Sequence, residues 1–291
     1  MDLAIRHIEP HEYGLAHELW NICFPEDAPD YSEYYFRLRT RPEYVLAAFH
    51  KNRLIGALHA LPYPIVCFGR VKRCVMVAGV ATLPEYRHKG VAARLINACH
   101  EEQRKNGVIA ALLKPDVDFY AQFGYVPFSY KDNYALRAML AGIPAPLHEP
   151  DAGEMLRLYS EYSKGFCGMM DRTLADMQAY IEEVNVLKGY ALSSGEAYAL
   201  YTETEDGANV YELVGEKPDG LINSLAEEYG EVHFSLPHFS APIAGASYKG
   251  TEKFSMICVL DEAGLIKDTP ATSAAQLISG EIERVNTLEF C

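Results

Sequence analysis

Arg87-His88-Lys89-Gly90-Val91-Ala92 places two cations, a histidine and a glycine between two apolar patterns of different period. Upstream, a β-branched apolar run ends at Leu83; downstream, Val91, Leu95, Ile96 and Cys99 recur at helical spacing. The six residues therefore read as a turn joining a strand to a helix start. Such a turn offers unpaired backbone N–H groups, the positive end of the helix dipole and side-chain cations in one place. Glycine at 90 lets the backbone approach a bulky anion where a Cβ would intrude. The chemistry expected here is diphosphate binding. The chain has no Gly-x-x-x-x-Gly-Lys-Ser/Thr, which disfavours a nucleoside-triphosphate loop, and no Gly-x-Gly-x-x-Gly after an early strand, which disfavours a dinucleotide fold. An ordinary basic helix start has the same composition and stays open on these residues alone.

A second motif follows the helix and the apolar run Val108–Leu113. It reads Asp118-Phe119-Tyr120-Ala121-Gln122-Phe123-Gly124-Tyr125. Together, Arg-x-x-Gly-x-Ala and Phe-Tyr-x-x-x-Gly-Tyr resemble the coenzyme A pyrophosphate loop and the following signature of the GCN5-related N-acetyltransferase (GNAT) superfamily. The resemblance implies acetyl-CoA as co-substrate, with direct transfer from the thioester and no serine or cysteine nucleophile. By the same resemblance Val80, Ala81 and Thr82 would offer backbone groups to the pantetheine arm and thioester carbonyl. His88, Lys89, Gly90, Val91, Ala92 and Ala93 match the pyrophosphate loop, with Arg87 its leading base. Pro115 and Asp116 match the segment that flanks the cofactor, and Tyr120 the proton donor to sulfur. Phe119, Phe123 and Tyr125 read as core and turn residues.

An amine acceptor with a pKa near ~10.4 is mostly protonated at neutral pH, so acetyl transfer needs a base or a water chain. Cys74-Val-Met-Val-Ala78 lacks the glutamate that many relatives use. The Cys291 carboxylate, His59, Glu26, Asp27 and water remain as bases, and His59 reads equally as a satisfied strand histidine.

The elements that must position these groups alternate. Residues 1–140 give a strand, two helices, strands 44–50 and 54–61, a hairpin of 65–68 with 71–83, helix 91–106, strand 108–113, helix 117–123 and strand 125–138. This order resembles the acetyltransferase fold, an α/β (α+β) architecture whose mixed sheet splays open around the cofactor. A Pro- and Gly-containing loop, 141–150, marks an expected boundary. Residues 146–291 then repeat the pattern more faintly, with Glu216-Lys217-Pro218-Asp219-Gly220 where the first copy has its basic turn. Acids there would repel a diphosphate. The expectation is tandem acetyltransferase-like domains, 1–140 catalytic and 146–291 degenerate. The pairing resembles the "enhanced intracellular survival" branch of the superfamily, without the sterol-carrier-like domain common in it.

Charge divides along the same line. Residues 1–145 hold 17 Lys+Arg against 15 Asp+Glu, and residues 146–291 hold 9 against 25. A chain without a basic stripe disfavours nucleic-acid binding, and the acidic half is expected to form part of the wall around a cationic amine, small-molecule or peptide. Seven cysteines without a Cys-x-x-Cys pair, and histidines without ligand spacing, predict reduced thiols and no metal. No apolar run approaches the roughly twenty residues of a membrane span, and the N-terminus does not resemble a signal peptide, so a cytoplasmic protein is expected; a homo-oligomer is compatible with the sequence. A catalytically silent acyl-CoA-binding module and a partner-binding scaffold are the alternatives to an enzyme, and Tyr120 beside the basic loop favours the enzyme.

Overall fold

The structure is a computed structural model that describes residues 1–27, 29–114, 117–280 and 285–287. The first half runs β1 (Ala4–His7), α1 (Tyr13–Cys23), α2 (Pro29–Tyr34, continued by one wide turn, Tyr35–Arg39), β2 (Val45–His50), β3 (Arg53–Pro62), β4 (Ile65–Cys67), β5 (Arg70–Lys72), β6 (Cys74–Thr82), α3 (Val91–Lys105), β7 (Ala110–Leu113), α4 (Val117–Tyr120) and β8 (Val126–Arg137). The second half runs α5 (Ala152–Ser163), α6 (Leu174–Val186), β9 (Tyr190–Ser193), β10 (Ala197–Thr204), β11 (Gly207–Gly215), α7 (Asp219–Tyr229), β12 (Glu231–Pro237), β13 (Ser247–Val259), α8 (Glu262–Ile266) and α9 (Ala274–Ile278).

Among the described residues, eleven strands form one sheet in the order β1-β2-β3-β6-β7-β13-β8-β12-β11-β10-β9. The halves 1–140 and 146–291 share this sheet. β13 lies between β7 and β8, pairing antiparallel with both, while the far edge of β8 pairs with β12. Met256, Ile257 and Cys258 of β13 are thereby buried in the core of the first half. Two pairs are parallel, β6 with β7 and β11 with β12, one in each half. The pattern repeat seen in the sequence is this repeated parallel pair.

The expectation of reduced thiols throughout is corrected at one place. Cys67 and Cys167, both fully buried, form a disulfide. Their separation of 100 residues leaves no spacing signal; the fold creates the pair by laying residues 166–171 against β4, with Val66 donating to the Met169 carbonyl and Gly168 to that of Val66.

Two histidines lie in the first core. His59 sits on β3 with Nδ1 2.9 Å from the Tyr35 hydroxyl, and His100 on α3 with Nε2 3.0 Å from that of Tyr125. Burial holds the His59 imidazole down to about 3 and that of His100 to about 4. Below pH ~6.5 the unfolded chain binds protons that the folded chain refuses, so stability present above that pH is lost on acidification. At about 1.4 kcal/mol per unit per imidazole, the two lose about 4 kcal/mol by pH 5. The partly buried carboxyls of Glu183 and Asp27, which desolvation raises, offset part of this. Melting curves between pH 7.5 and 5 should show Tm falling, less steeply in His100→Asn; the same slope in both proteins would exclude a neutral buried His100.

Candidate active site

The parallel pairing of β6 with β7 ends early. Cys74, Val75 and Met76 pair with Ala110, Ala111 and Leu112, and β6 then continues to Thr82 with β3 alone as its strand partner. The edge of β6 that faces β7 is therefore open from Val77 to Thr82, a run of backbone groups at the carboxyl end of a splayed pair. The register against β3 slips between Ala57 and His59, so β6 bulges around Gly79. Gly79 has φ +56, and a Cβ there would stand 2.4 Å from the Trp20 ring. Only glycine gives both that backbone and that approach. Trp20 in turn donates its indole N–H to Asp27 Oδ2 at 2.8 Å. The bulge, the chain's single tryptophan and Asp27 are thus one packed unit, which the sequence did not reveal because its contacts are long-range.

Beyond Thr82 the chain makes a short 3-10 turn, Pro84–Tyr86, and enters α3 through Gly90, whose φ of +74 places it in the left-handed region. No side chain caps α3, and no acid stands in its first turn. The first intrahelical bond runs from Arg94 N–H to the Gly90 carbonyl, so the N–H groups of Val91, Ala92 and Ala93 end the helix as unmet donors. His88, Lys89 and Gly90 are exposed beside them. Arg87 Nε donates to the Thr82 carbonyl at 3.2 Å and Lys89 Nζ to the Glu85 carbonyl at 2.7 Å, which ties the turn to itself and to β6. The expected residues Val80, Ala81, Thr82 and 87–93 therefore line one continuous path, from open strand edge to helix start. Its donors and its missing Cβ fit an extended thiol arm followed by a diphosphate.

Tyr120 closes α4, half-buried, its ring centroid 4.9 Å from Phe119 and 5.8 Å from Tyr125. The Tyr125 hydroxyl is held by His100, and burial pushes it well above its usual range. Pro115, Asp116 and Cys291 lie outside the described residues. Among the base candidates, His59 is 2% exposed, bonded to Tyr35 and held down to about 3, too weak to take a proton from an ammonium at neutral pH. Glu26 is exposed. Asp27, raised by burial and one indole ring from the bulge, has the surroundings of a base.

On the α1 face of the sheet, the paired residues His59–Ala78 and Leu61–Met76 lead from the bulge to a cavity of about 420 Å³. Met76 lies in its floor; Arg39 and Arg41 come from the first half, Asp171, Thr173 and Asp176 from the second. The wall expected to be acidic is thus mixed in charge. Glu203, Glu205, Asp206, Glu227 and Glu228 are exposed around the β10–β11 turn and α7, at the far end of the sheet.

In the second half, β11 and β12 pair at Ala208–Val232 and Asn209–His233 and then diverge. The turn before α7 carries exposed Glu216 and Asp219, and Lys217 there is paired with Glu196. The diverging parallel pair of the first cleft is repeated there, but its turn is acidic and its one lysine is paired. Among the described residues no group of three or more His, Cys, Asp or Glu is placed to hold a metal, and no helix is long and apolar enough to cross a membrane.

Residues 4–128 match the family model described as an acetyltransferase (GNAT) domain. N-alpha-acetyltransferase 30 of Schizosaccharomyces pombe is 24% identical over 141 residues, 44% of this chain and 89% of that protein. A GCN5-related N-acetyltransferase from Anabaena variabilis has the same fold with a TM-score of 0.78 at 17% identity, over 92% of this chain and 75% of that one. Eis1 from Mycobacterium abscessus matches with a TM-score of 0.72 at 15% identity, over 89% of this chain and 74% of that one. These structural likenesses extend the shared fold across both halves. Residues 4–128 are thus similar to the acetyltransferase (GNAT) domain and to an N-alpha-acetyltransferase.

Proposed function

We propose that the protein moves the acetyl group of acetyl-CoA directly to a primary amine of a cationic acceptor that is aminoglycoside-, polyamine- or lysine-like, bound in the cavity between the halves. The observation behind this reading is the open edge of β6 running without interruption into the Gly90-capped start of α3. Backbone groups of Val80, Ala81 and Thr82 hold the pantetheine arm and the thioester carbonyl, and the N–H groups of Val91–Ala93 with Lys89 hold the diphosphate. The acceptor approaches from the α1 face, past Met76. Asp27, directly or through a water, takes one ammonium proton; the free amine attacks the thioester carbon; the C–S bond breaks as Tyr120 gives its proton to the leaving sulfur, and the nitrogen's second proton restores Tyr120 directly or through a water. Backbone N–H groups at the bulge stabilise the oxyanion that forms between these steps. The acidic turn at Glu216–Asp219 argues for one acetyl-CoA per chain.

Calorimetry should give a stoichiometry of one, and Trp20, packed on Gly79, should change its emission on binding. Amines should then accelerate release of CoA thiol. Two sites per chain, or thiol release indifferent to every amine in an aminoglycoside, polyamine and amino-acid panel, would overturn this reading.

A further inference from the structure

The cavity between the halves holds two side-chain charges that have no partner among the described residues. Arg41 and Asp171 both line it, one from each half, and both are exposed at its rim. Among the described residues neither the Arg41 guanidinium nor the Asp171 carboxylate makes an ion pair or a side-chain hydrogen bond. Their charged neighbours are already engaged. Asp176 accepts from the Thr173 N–H and hydroxyl in the capping box of α6, at 2.7 and 2.6 Å. Arg39 donates to the Tyr180 hydroxyl at 3.2 Å and lies 4.6 Å over that ring. The lining therefore offers one cation and one anion that, among the described residues, have no ion-pair partner, and the part of the cavity at Leu61 and Met76 is apolar and leads to the bulge.

The backbone at both residues is fixed. Arg41 precedes Pro42 in extended conformation, φ −148, at the start of a short 3-10 turn. Asp171 is fixed by its N–H, which donates to the Pro64 carbonyl at 2.7 Å, within the segment that the Cys67–Cys167 disulfide ties to β4. Polyamines have no group for Arg41 and would bring cations toward it. Resting on the acetyltransferase reading above, we propose that the acceptor is a free basic amino acid, acetylated on its side-chain amine. Its α-carboxylate takes the guanidinium of Arg41, a planar fork suited to carboxylates, and its α-ammonium takes Asp171. The methylene chain crosses the apolar floor and the ω-amine reaches the thioester. The ω-ammonium loses one proton to Asp27 or water, its nitrogen bonds to the acetyl carbon, the C–S bond breaks as sulfur takes a proton from Tyr120 and departs as the thiol of CoA, and the nitrogen's second proton restores Tyr120.

L-lysine and cadaverine differ only in the α-carboxylate, so their ratio isolates the Arg41 contact. With saturating acetyl-CoA, the kcat/KM for lysine should exceed that for cadaverine by about tenfold or more, with Nε-acetyl-lysine as product. In Arg41→Gln that ratio should collapse toward one while acetyl-CoA affinity is unchanged. Equal or faster turnover of cadaverine, spermidine or an aminoglycoside by the unaltered protein would overturn the proposal and leave the acetyltransferase reading standing. Acetylation of the α-amine, or a lysine preference that survives in Arg41→Gln, would also overturn it. No CoA release with any amine, despite acetyl-CoA binding, would overturn the acetyltransferase reading and the proposal together.

Discussion

Gly90→Glu should abolish measurable acetyl-CoA binding while the protein stays folded. Gly90 is the N-terminal cap of α3, at φ +74 and exposed, with nothing within 4 Å of the position its Cβ would occupy. Steric room is therefore available in the free protein, and the folding cost is that of a left-handed residue, about 1–2 kcal/mol, against a typical stability of about 5–15 kcal/mol. The binding cost is larger. A carboxylate at this helix start meets a diphosphate at close range, and at an effective dielectric near 20 two unit charges ~4 Å apart repel by about 4 kcal/mol. That corresponds to a loss of about a thousandfold in affinity, before the volume of the side chain is counted. Gly90→Asn, which tolerates the left-handed backbone and adds no charge, should bind far better than Gly90→Glu. Lys217→Glu puts an acid on the matching turn of the second half, at an exposed position whose pair with Glu196 is also exposed, and should leave affinity unchanged. Gly220→Glu is a poorer control, because a Cβ at Gly220 stands 2.9 Å from that of Ala145. Titration calorimetry on the four proteins decides the matter: Gly90→Glu binding within threefold of the unaltered protein would remove the diphosphate from this turn.

The part of the site legible in the sequence is the part made by neighbours in the chain. The strand end, the turn at 87–90 and the helix expected over 91–106 correspond to β6, the loop and α3 (Val91–Lys105), because composition and period act over a few residues. The run 71–83, expected as one strand, divides at Arg73 into β5 and β6, since β5 turns away to pair with β4 in a separate two-stranded sheet. β13 spans Ser247–Val259, although its buried apolar run begins only at Phe254. Its first seven residues, Ser-Tyr-Lys-Gly-Thr-Glu-Lys, are polar and largely exposed, so no apolar alternation marks them; pairing with the long β8 makes them a strand. That β13 would leave the second half to fill the first sheet has no local signature. The same holds for Gly79 against Trp20, for Cys67 with Cys167, and for Arg41 and Asp171 in one cavity lining. Each is a meeting of residues far apart in the chain, decided by tertiary packing. Asp27 stood among the expected bases, but what sets it apart, burial and the indole N–H of Trp20, appears only in the fold.

Tyr120→Phe should lower kcat by about 10²–10⁴-fold, the usual contribution of a positioned proton donor, with acetyl-CoA affinity and Tm nearly unchanged. Phe119 and Tyr125 pack against the Tyr120 ring edge-on, at 4.9 and 5.8 Å, and phenylalanine preserves both contacts. The hydroxyl is what the chemistry uses, because a thiolate leaving without a proton raises the barrier to breaking the C–S bond. Tyr125→Phe supplies the contrast. Its hydroxyl is buried against His100 Nε2 at 3.0 Å, so its removal strands a buried ring nitrogen, at a cost of about 1–3 kcal/mol. That variant should lose Tm and keep most of its kcat. The two substitutions delete the same atom from tyrosines five positions apart, so opposite patterns separate proton donation from packing. Burst kinetics with a good acceptor amine should also show that the Tyr120→Phe deficit lies in the acetyl-transfer step, not in product release. Wild-type turnover in Tyr120→Phe would mean that the sulfur departs unaided and that this ring serves only the core.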